Sequence, residues 1–433
     1  MSSYVHFENK LPRSRRKKSL ISLAIISIIT LSTILILIYF PYPKEKKKDS
    51  SDDELDFPII SITCYEELDN ENYSNCIFEL ESSESSEEID PMKARIKIRG
   101  ETTATYPKKG YRLELSKGEP LLGMRDDDDW QLFASYYDYT RIRFKLSFNL
   151  WRNLLSVDNP TAILPKSRYV LLYFNAQFQG LYLLAEKNDR KLFGLNENLN
   201  NDTDDSLIFQ AKDPSNLTVY EPDKWEQDWP NEDEGYYIID DVMVNLITFI
   251  NSSTSDIDFF NETTGIYTKF EEINLIDFFL FNYFILHLDF WNKNYFLIRD
   301  NTTVSNPSKF SLIPWDFDLT FGQNISTPED FENPTLDLES KIREKNLLFD
   351  RLLGNQSFRE NCSKRWDTLR KEVWTNESIS NMIMSIYGEC IGYAQLDLNI
   401  WDQNYTVDKY ITELRQWISD RLSFCDDHFE NDF

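Results

Sequence analysis

Apolar and polar positions alternate over strand lengths in the first third of the chain and change to helical spacing in the last. PIISITCYEEL, NCIFELES, ARIKIRG and YRLELS read as strands, so a β-rich region starts near Phe57. RIRFKLSFNLWRNLL, from Arg141 to Leu155, moves to a helical period with Ile142, Leu146, Leu150 and Leu154 on one face. SRYVLLYFNAQFQGLYLLAEK predicts a hairpin about a polar turn containing Asn175 and Gly180. Residues 196–235, rich in Asn, Asp and Pro, read as a long surface insertion with a short strand at LIFQA. Beyond Tyr236 the pattern is mainly helical, with one strand pair between Asn294 and Trp315 and a late stripe of Ile411, Leu414, Ile418 and Leu422. The order predicts an α+β arrangement.

Leu20 to Phe40 is an uncharged apolar run of 21 residues. As a helix it would cover about 32 Å, the thickness of a bilayer core. Its length exceeds the apolar region of a cleaved signal peptide, and small residues do not follow it. The reading is a transmembrane helix at 20–40 after a cytosolic tail at 1–19, with a polar stalk at 41–56. RSRRKK before the run is a stronger basic cluster than KEKKK after it, which predicts a single-pass type II protein with a lumenal or extracellular C-terminal domain. Eleven Asn-x-Ser/Thr sequons, from Asn72 to Asn404, all follow the run and predict a glycoprotein.

Composition sharpens this picture. Of 46 basic and 73 acidic residues, ten and two precede position 49; the remaining 36 and 71 give residues 49–433 a formal charge of −35. Such a domain repels nucleic acid and attracts basic partners. The five cysteines have no zinc-site spacing. Cys64 and Cys76 flank a short stretch between two strands and are expected to bridge; among Cys362, Cys390 and Cys425, one further pair and one free thiol is the simplest arrangement. The run Asp126 to Asp129 reads as a solvated turn.

Candidate chemistry centres on His287-Leu288-Asp289, followed after four residues by Asn294. That is the spacing of a phosphoryl-transfer loop, in which an aspartate meets the attacking hydroxyl and an asparagine oxygen holds magnesium. Trp315-Asp316-Phe317-Asp318 follows the next strand pair, where a second metal-binding acid is needed. Upstream, Arg99, Gly100, Thr102 and Thr103 could present N–H and hydroxyl groups to phosphate, with Lys109 entering the next strand.

Arg99-Gly100 with Tyr106-Pro107-Lys108-Lys109-Gly110-Tyr111-Arg112-Leu113, LLGM before Asp128-Asp129-Trp130, Tyr137-Asp138 with Arg143, Gly180 to Glu186, Asp289 to Leu297 and Pro314 to Gly322 resemble, in order, the blocks of the CotH kinase family. The resemblance runs from about Lys93 to Phe424. It implies an atypical protein-kinase-like domain at 93–425, with a β-rich N-lobe and a mainly helical C-lobe, preceded by a β-rich extension at 57–92. It implies transfer of phosphate from ATP, with Mg2+ or Mn2+, to Ser of a protein; the expected topology makes that acceptor a secretory-pathway or surface protein, and the net charge favours a basic context. By position, Asp289 would be the catalytic acid, Asn294, Asp316 and Asp318 metal ligands, and Lys109 the phosphate-binding lysine. Glu186 would order the adenine pocket, and Arg143 would pair with phosphate or with an acid. Glu101, where the family has Asn, and Gly110, where Ser is common, depart from the pattern. Two other classes compete: a catalytically silent surface adhesion or ligand-binding ectodomain of the same fold, and a carbohydrate-active enzyme with Asp289 and Asp316 as its carboxylate pair.

Overall fold

The computed structural model of the protein describes residues 57–433 except 101–102, 201, 232–235, 252–254, 288–289, 304, 306 and 324–331. The tail, apolar run and stalk at 1–56 lie outside the described residues. Among the described residues no helix is long and apolar enough to cross a membrane.

Seven strands form a closed barrel: β1 (Ile59–Cys64), β2 (Ser74–Glu81), β3 (Ile89–Arg99), β4 (Gly110–Pro120), β5 (Asp126–Phe133), β6 (Ser167–Phe174) and β7 (Gln177–Glu186), in the order β1-β2-β3-β4-β5-β7-β6. Neighbours are antiparallel except where β1 closes against β6 in parallel, Ile60 opposite Leu172. Alternation fills the interior. Ile60 and Ile62, Phe78 and Leu80, Leu113 and Leu115, and Val170 and Leu172 point inward, almost wholly buried, beside Trp130 and Tyr182. This corrects the expected fold of a membrane helix followed by a kinase-like domain with a β-rich N-lobe. Residues 57–92 supply β1, β2 and the start of β3 to the barrel. Each strand carries the same alternating pattern whether its sheet is open or closed, and the closing pair joins segments far apart in sequence, so no local signal announces it.

Local chemistry sets the joints. Asn175 and Ala176, at φ of 48° and 61°, make the two-residue turn between β6 and β7, and Asn175 Oδ1 accepts from the Cys64 N–H at 2.8 Å. Cys64 lies opposite Cys76 across β1 and β2, with Cα atoms 4.4 Å apart, and the two form the expected disulfide. Cys362, Cys390 and Cys425 are all buried free thiols, so no second bridge forms among them. The Asp126–Asp129 run is the start of β5 and not a turn; Asp127 is buried and paired with Arg125 and Lys191.

A second sheet has the order β11-β10-β8-β9, from β8 (Leu207–Ala211), β9 (Trp225–Trp229), β10 (Tyr295–Arg299) and β11 (Ser311–Pro314), all antiparallel. The stretch expected as a surface insertion therefore supplies two strands of this sheet. Helices of seven residues or more are α1 (Arg143–Asn153), α2 (Ile239–Ile250), α3 (Glu272–Phe284), α4 (Glu339–Lys345), α5 (Leu347–Leu353), α6 (Gln356–Glu372), α7 (Asn376–Ile400) and α8 (Val407–Asn431). α3 is buried at every position from Asn274 to Phe284, as a helix apolar all round must be, and forms the centre of the helical part. α8 is amphipathic and packs inward through Ile411, Leu414, Ile418 and Leu422.

Candidate functional site

β10 and β11 pair Tyr295 with Pro314, which sets Asn294 beside Trp315 at the mouth of the hairpin. The Trp315 N–H donates to the Asn294 carbonyl at 2.9 Å, and the Asn294 N–H donates to Ala211 at 3.0 Å. Both Asn294 (φ 62°) and Asp316 (φ 63°) are left-handed, a conformation that Asn and Asp tolerate better than other side-chain-bearing residues. Two of the three expected metal ligands, Asn294 and Asp316, thus stand at the same end of the hairpin. Phe317 fixes the turn that carries Asp316 and Asp318: its ring is wholly buried and packs edge-on against Phe148 of α1 and Phe281 of α3.

His287 ties the loop after α3 to the same turn. Its Nε2 lies 2.8 Å from the Asp316 carbonyl and its Nδ1 lies 2.8 Å from Asn282 Oδ1. Burial pushes its pKa down to about 4, against the pull of that carbonyl. Asp289, the expected catalytic acid, lies with Leu288 outside the described residues, between His287 and the buried Phe290.

Across from the acid turn stands Arg99, the last residue of β3. Its guanidinium sits 4.1 Å over the Phe133 ring, which in turn packs against Trp315. Burial lowers Arg99 to about 10, while Asp316 and Asp318 pull the other way. Asp318 is raised to about 7 by burial and then by the like charge of Asp316, with Arg99 opposing. The Arg99 Nε is buried without a hydrogen-bond partner. Two acids and one guanidinium therefore share a partly desolvated space, and the Tyr106 phenol is raised by burial and then by the charges of Asp318 and Asp316.

Gly100 continues from Arg99 at φ 82°, and a Cβ there would stand 2.0 Å from Thr103 Oγ1; Glu101 and Thr102 lie outside the described residues. The Lys109 ammonium donates to the Ala104 carbonyl at 2.6 Å, tying this loop to itself. Arg143, at the start of α1, pairs with the buried Asp138 at 2.6 Å. Glu186, at the end of β7, accepts from the Arg125 N–H at 3.1 Å and the Lys166 N–H at 2.8 Å. Among the described residues, Arg99 is a barrel cation that acts on both Asp316 and Asp318. Sequence reasoning named Arg99 among the residues offered to phosphate but gave its guanidinium no role of its own. It also passed over Lys108, which is wholly buried on Asp397 of α7. Alternation held the signal: Tyr111, Leu113 and Leu115 point into the barrel, so Lys108 has the parity of the opposite face.

Among the described residues no group of three His, Cys, Asp or Glu is arranged to hold a metal. The pair does fit a hard divalent cation in its chemistry. Each carboxylate raises the cost of ionising the other, and a cation between them would relieve it.

A family model described as CotH kinase protein matches residues 96–425. Over 350 residues the chain is 22% identical to the inner spore coat protein H of Bacillus subtilis (strain 168), covering 77% of this chain and 86% of that protein. The expected type II membrane placement is corrected here. The relative is a spore coat protein, and no described helix is long and apolar enough to cross a membrane.

Proposed function

The chain belongs to the CotH kinase protein family, and from that membership we propose that it is a phosphotransferase that moves the terminal phosphate of ATP, with Mg2+ or Mn2+, to Ser of a protein. One observation carries the reading. The Trp315–Asn294 backbone hydrogen bond brings residues 294 and 316 to the same end of the hairpin, and Asp316 and Asp318 act electrostatically on Arg99 of the barrel. Phosphoryl transfer is mostly positioning and charge neutralisation, and these are the groups it needs.

Asn294, Asp316 and Asp318 would hold the metal, which when bound neutralises phosphate charge. Arg99 would supply a fixed positive charge from the barrel, its unpartnered Nε available to a phosphate oxygen. Gly100 and Thr103 would let the backbone of the same loop approach the phosphates. Asp289 would receive the proton of the attacking serine hydroxyl. The negative charge of residues 49–433 favours an acceptor serine in a basic context.

The test is transfer of labelled terminal phosphate from ATP to a basic, serine-bearing acceptor protein. Incorporation that requires a divalent metal and falls on the order of 10²–10⁴-fold in Asp289→Asn supports the proposal. Incorporation equal in Asp289→Asn and the unaltered protein contradicts it.

A further inference from the structure

Asp397 lies near the end of α7, yet its carboxylate is the meeting point of three other segments. Oδ1 accepts from the Leu181 N–H of β7 at 2.9 Å and lies 2.9 Å from the Lys108 ammonium. Oδ2 accepts from Arg141 Nε at 2.6 Å. Neither the lysine nor the aspartate side chain has any exposed surface, and the arginine has almost none. The remaining donors are also satisfied. Lys108 donates to the carbonyls of Ala134 and Leu181, and Arg141 donates to those of Ser135, Tyr136 and Asp138 and to Gln403.

The backbone is shaped around this carboxylate. Gly180 sits at φ 97° in β7, and a Cβ there would come 1.9 Å from Asp397 Oδ1. Any side chain at position 180 would displace the acid. That requirement explains a glycine inside a strand, where sequence reasoning expected a turn.

Lys108 is the root of the loop that leaves Arg99 and returns at Gly110. Its neighbour Lys109 is held from the other side, where the Tyr182 hydroxyl donates to the Lys109 carbonyl at 2.9 Å. The Lys109 ammonium then reaches back to Ala104, and the Tyr106 N–H donates to Thr103. This loop leaves directly from Arg99, which acts on Asp316 and Asp318, and carries Tyr106, whose phenol both acids also raise after burial. Arg141 and Gln403 hold the neighbouring segment at Ser135–Asp138, on which Tyr137 stacks edge-on against Tyr106 at 4.4 Å.

We infer that Asp397 is a positioning residue: through Lys108 and Arg141 it fixes residues 103–109 and the 135–138 segment beside the Asp316–Asp318 turn, so that α7 sets the geometry of the phosphate-facing side of the site. Its importance to catalysis rests on the phosphotransferase reading; its control of the loop does not. Burial pulls the Lys108 ammonium down to about 7, against Asp397, so removing the acid leaves a lysine able to shed its charge and not an obligatory buried cation.

Hydrogen exchange and steady-state kinetics on the full chain, unaltered and Asp397→Asn, separate these claims. Amides at 103–109 should exchange about tenfold faster in Asp397→Asn, with those of β2 unchanged, and the KM for ATP should rise about tenfold while kcat stays within about threefold. A loop that exchanges as before, acceleration spread equally over the barrel, or a lowered kcat at unchanged KM would each overturn the inference. Lys108→Met gives the same readouts should Asp397→Asn fail to fold. If the unaltered protein turns over no ATP, the phosphotransferase reading falls, and hydrogen exchange alone decides whether Asp397 holds the loop.

Discussion

His287 Nε2 lies 2.8 Å from the carbonyl oxygen of Asp316, joining the loop that follows α3 to the acid turn that follows β11. The Asn282 amide donates to Phe278 and so presents its oxygen to the other ring nitrogen. A neutral imidazole can donate to only one of these two acceptors.

His287→Ala removes the strut between the two segments that carry Asp289 and Asp316. The loss of a fully buried ring and of a bonded partner should destabilise the protein by about 2–4 kcal/mol, read from denaturant unfolding. The low folded pKa fixes the pH dependence. Between about 6.5 and 4 the unfolded chain binds a proton that the folded chain does not, so this group's contribution to stability is complete above 6.5 and falls as pH drops towards 4. His287→Gln should flatten that part of the profile; an unchanged profile contradicts the assignment.

Asp318 works in the opposite sense. Its folded pKa, raised to about 7 from an ordinary 3.8, makes the folded protein the better proton binder between those values. Its stabilising contribution is present below about 4 and is lost as pH rises through 7. In metal-free buffer at pH 8, Asp318→Asn should therefore raise Tm by about 2–4 °C, a gain that disappears towards pH 4. Added Mg2+ should raise the Tm of the unaltered protein more than that of the variant. A Tm lowered by Asp318→Asn at pH 8 would contradict the shared-charge picture.

The hairpins and helices were legible because their signals are local. Asn175 fits a tight two-residue turn, and Ile142, Leu146, Leu150 and Leu154 mark the buried face of α1. The pairing of Asn294 with Asp316 was legible for a related reason: two short apolar runs joined by a polar loop form a hairpin, and both residues stand at its open end. What escaped was set by distant partners. Barrel closure depends on β1 meeting β6, β8 and β9 find their places only against β10, and the partner that buries Lys108, Asp397, lies 289 positions later, although alternation already set Lys108 apart from Lys109. Glu186 illustrates the same limit, because its carboxylate is committed to backbone N–H groups from two other segments.

Glu186→Ala would leave the Arg125 and Lys166 N–H groups without that acceptor at the end of the barrel. Unfolding measurements should register a loss of about 2–4 kcal/mol, while ATP affinity changes by less than about threefold because the carboxylate is occupied elsewhere. Stability unchanged with affinity strongly reduced would return Glu186 to the nucleotide pocket.

The most direct test of the central claim is calorimetric titration of the full chain with ATP, with and without Mg2+, for the unaltered protein and for Asp316→Ala. Because Asp316, Asp318 and Arg99 share one site, the account predicts binding that requires the metal. It predicts that Asp316→Ala weakens this binding by at least about tenfold while circular dichroism is preserved. Absence of ATP binding with either Mg2+ or Mn2+, or equal affinity in Asp316→Ala and the unaltered protein, would contradict it.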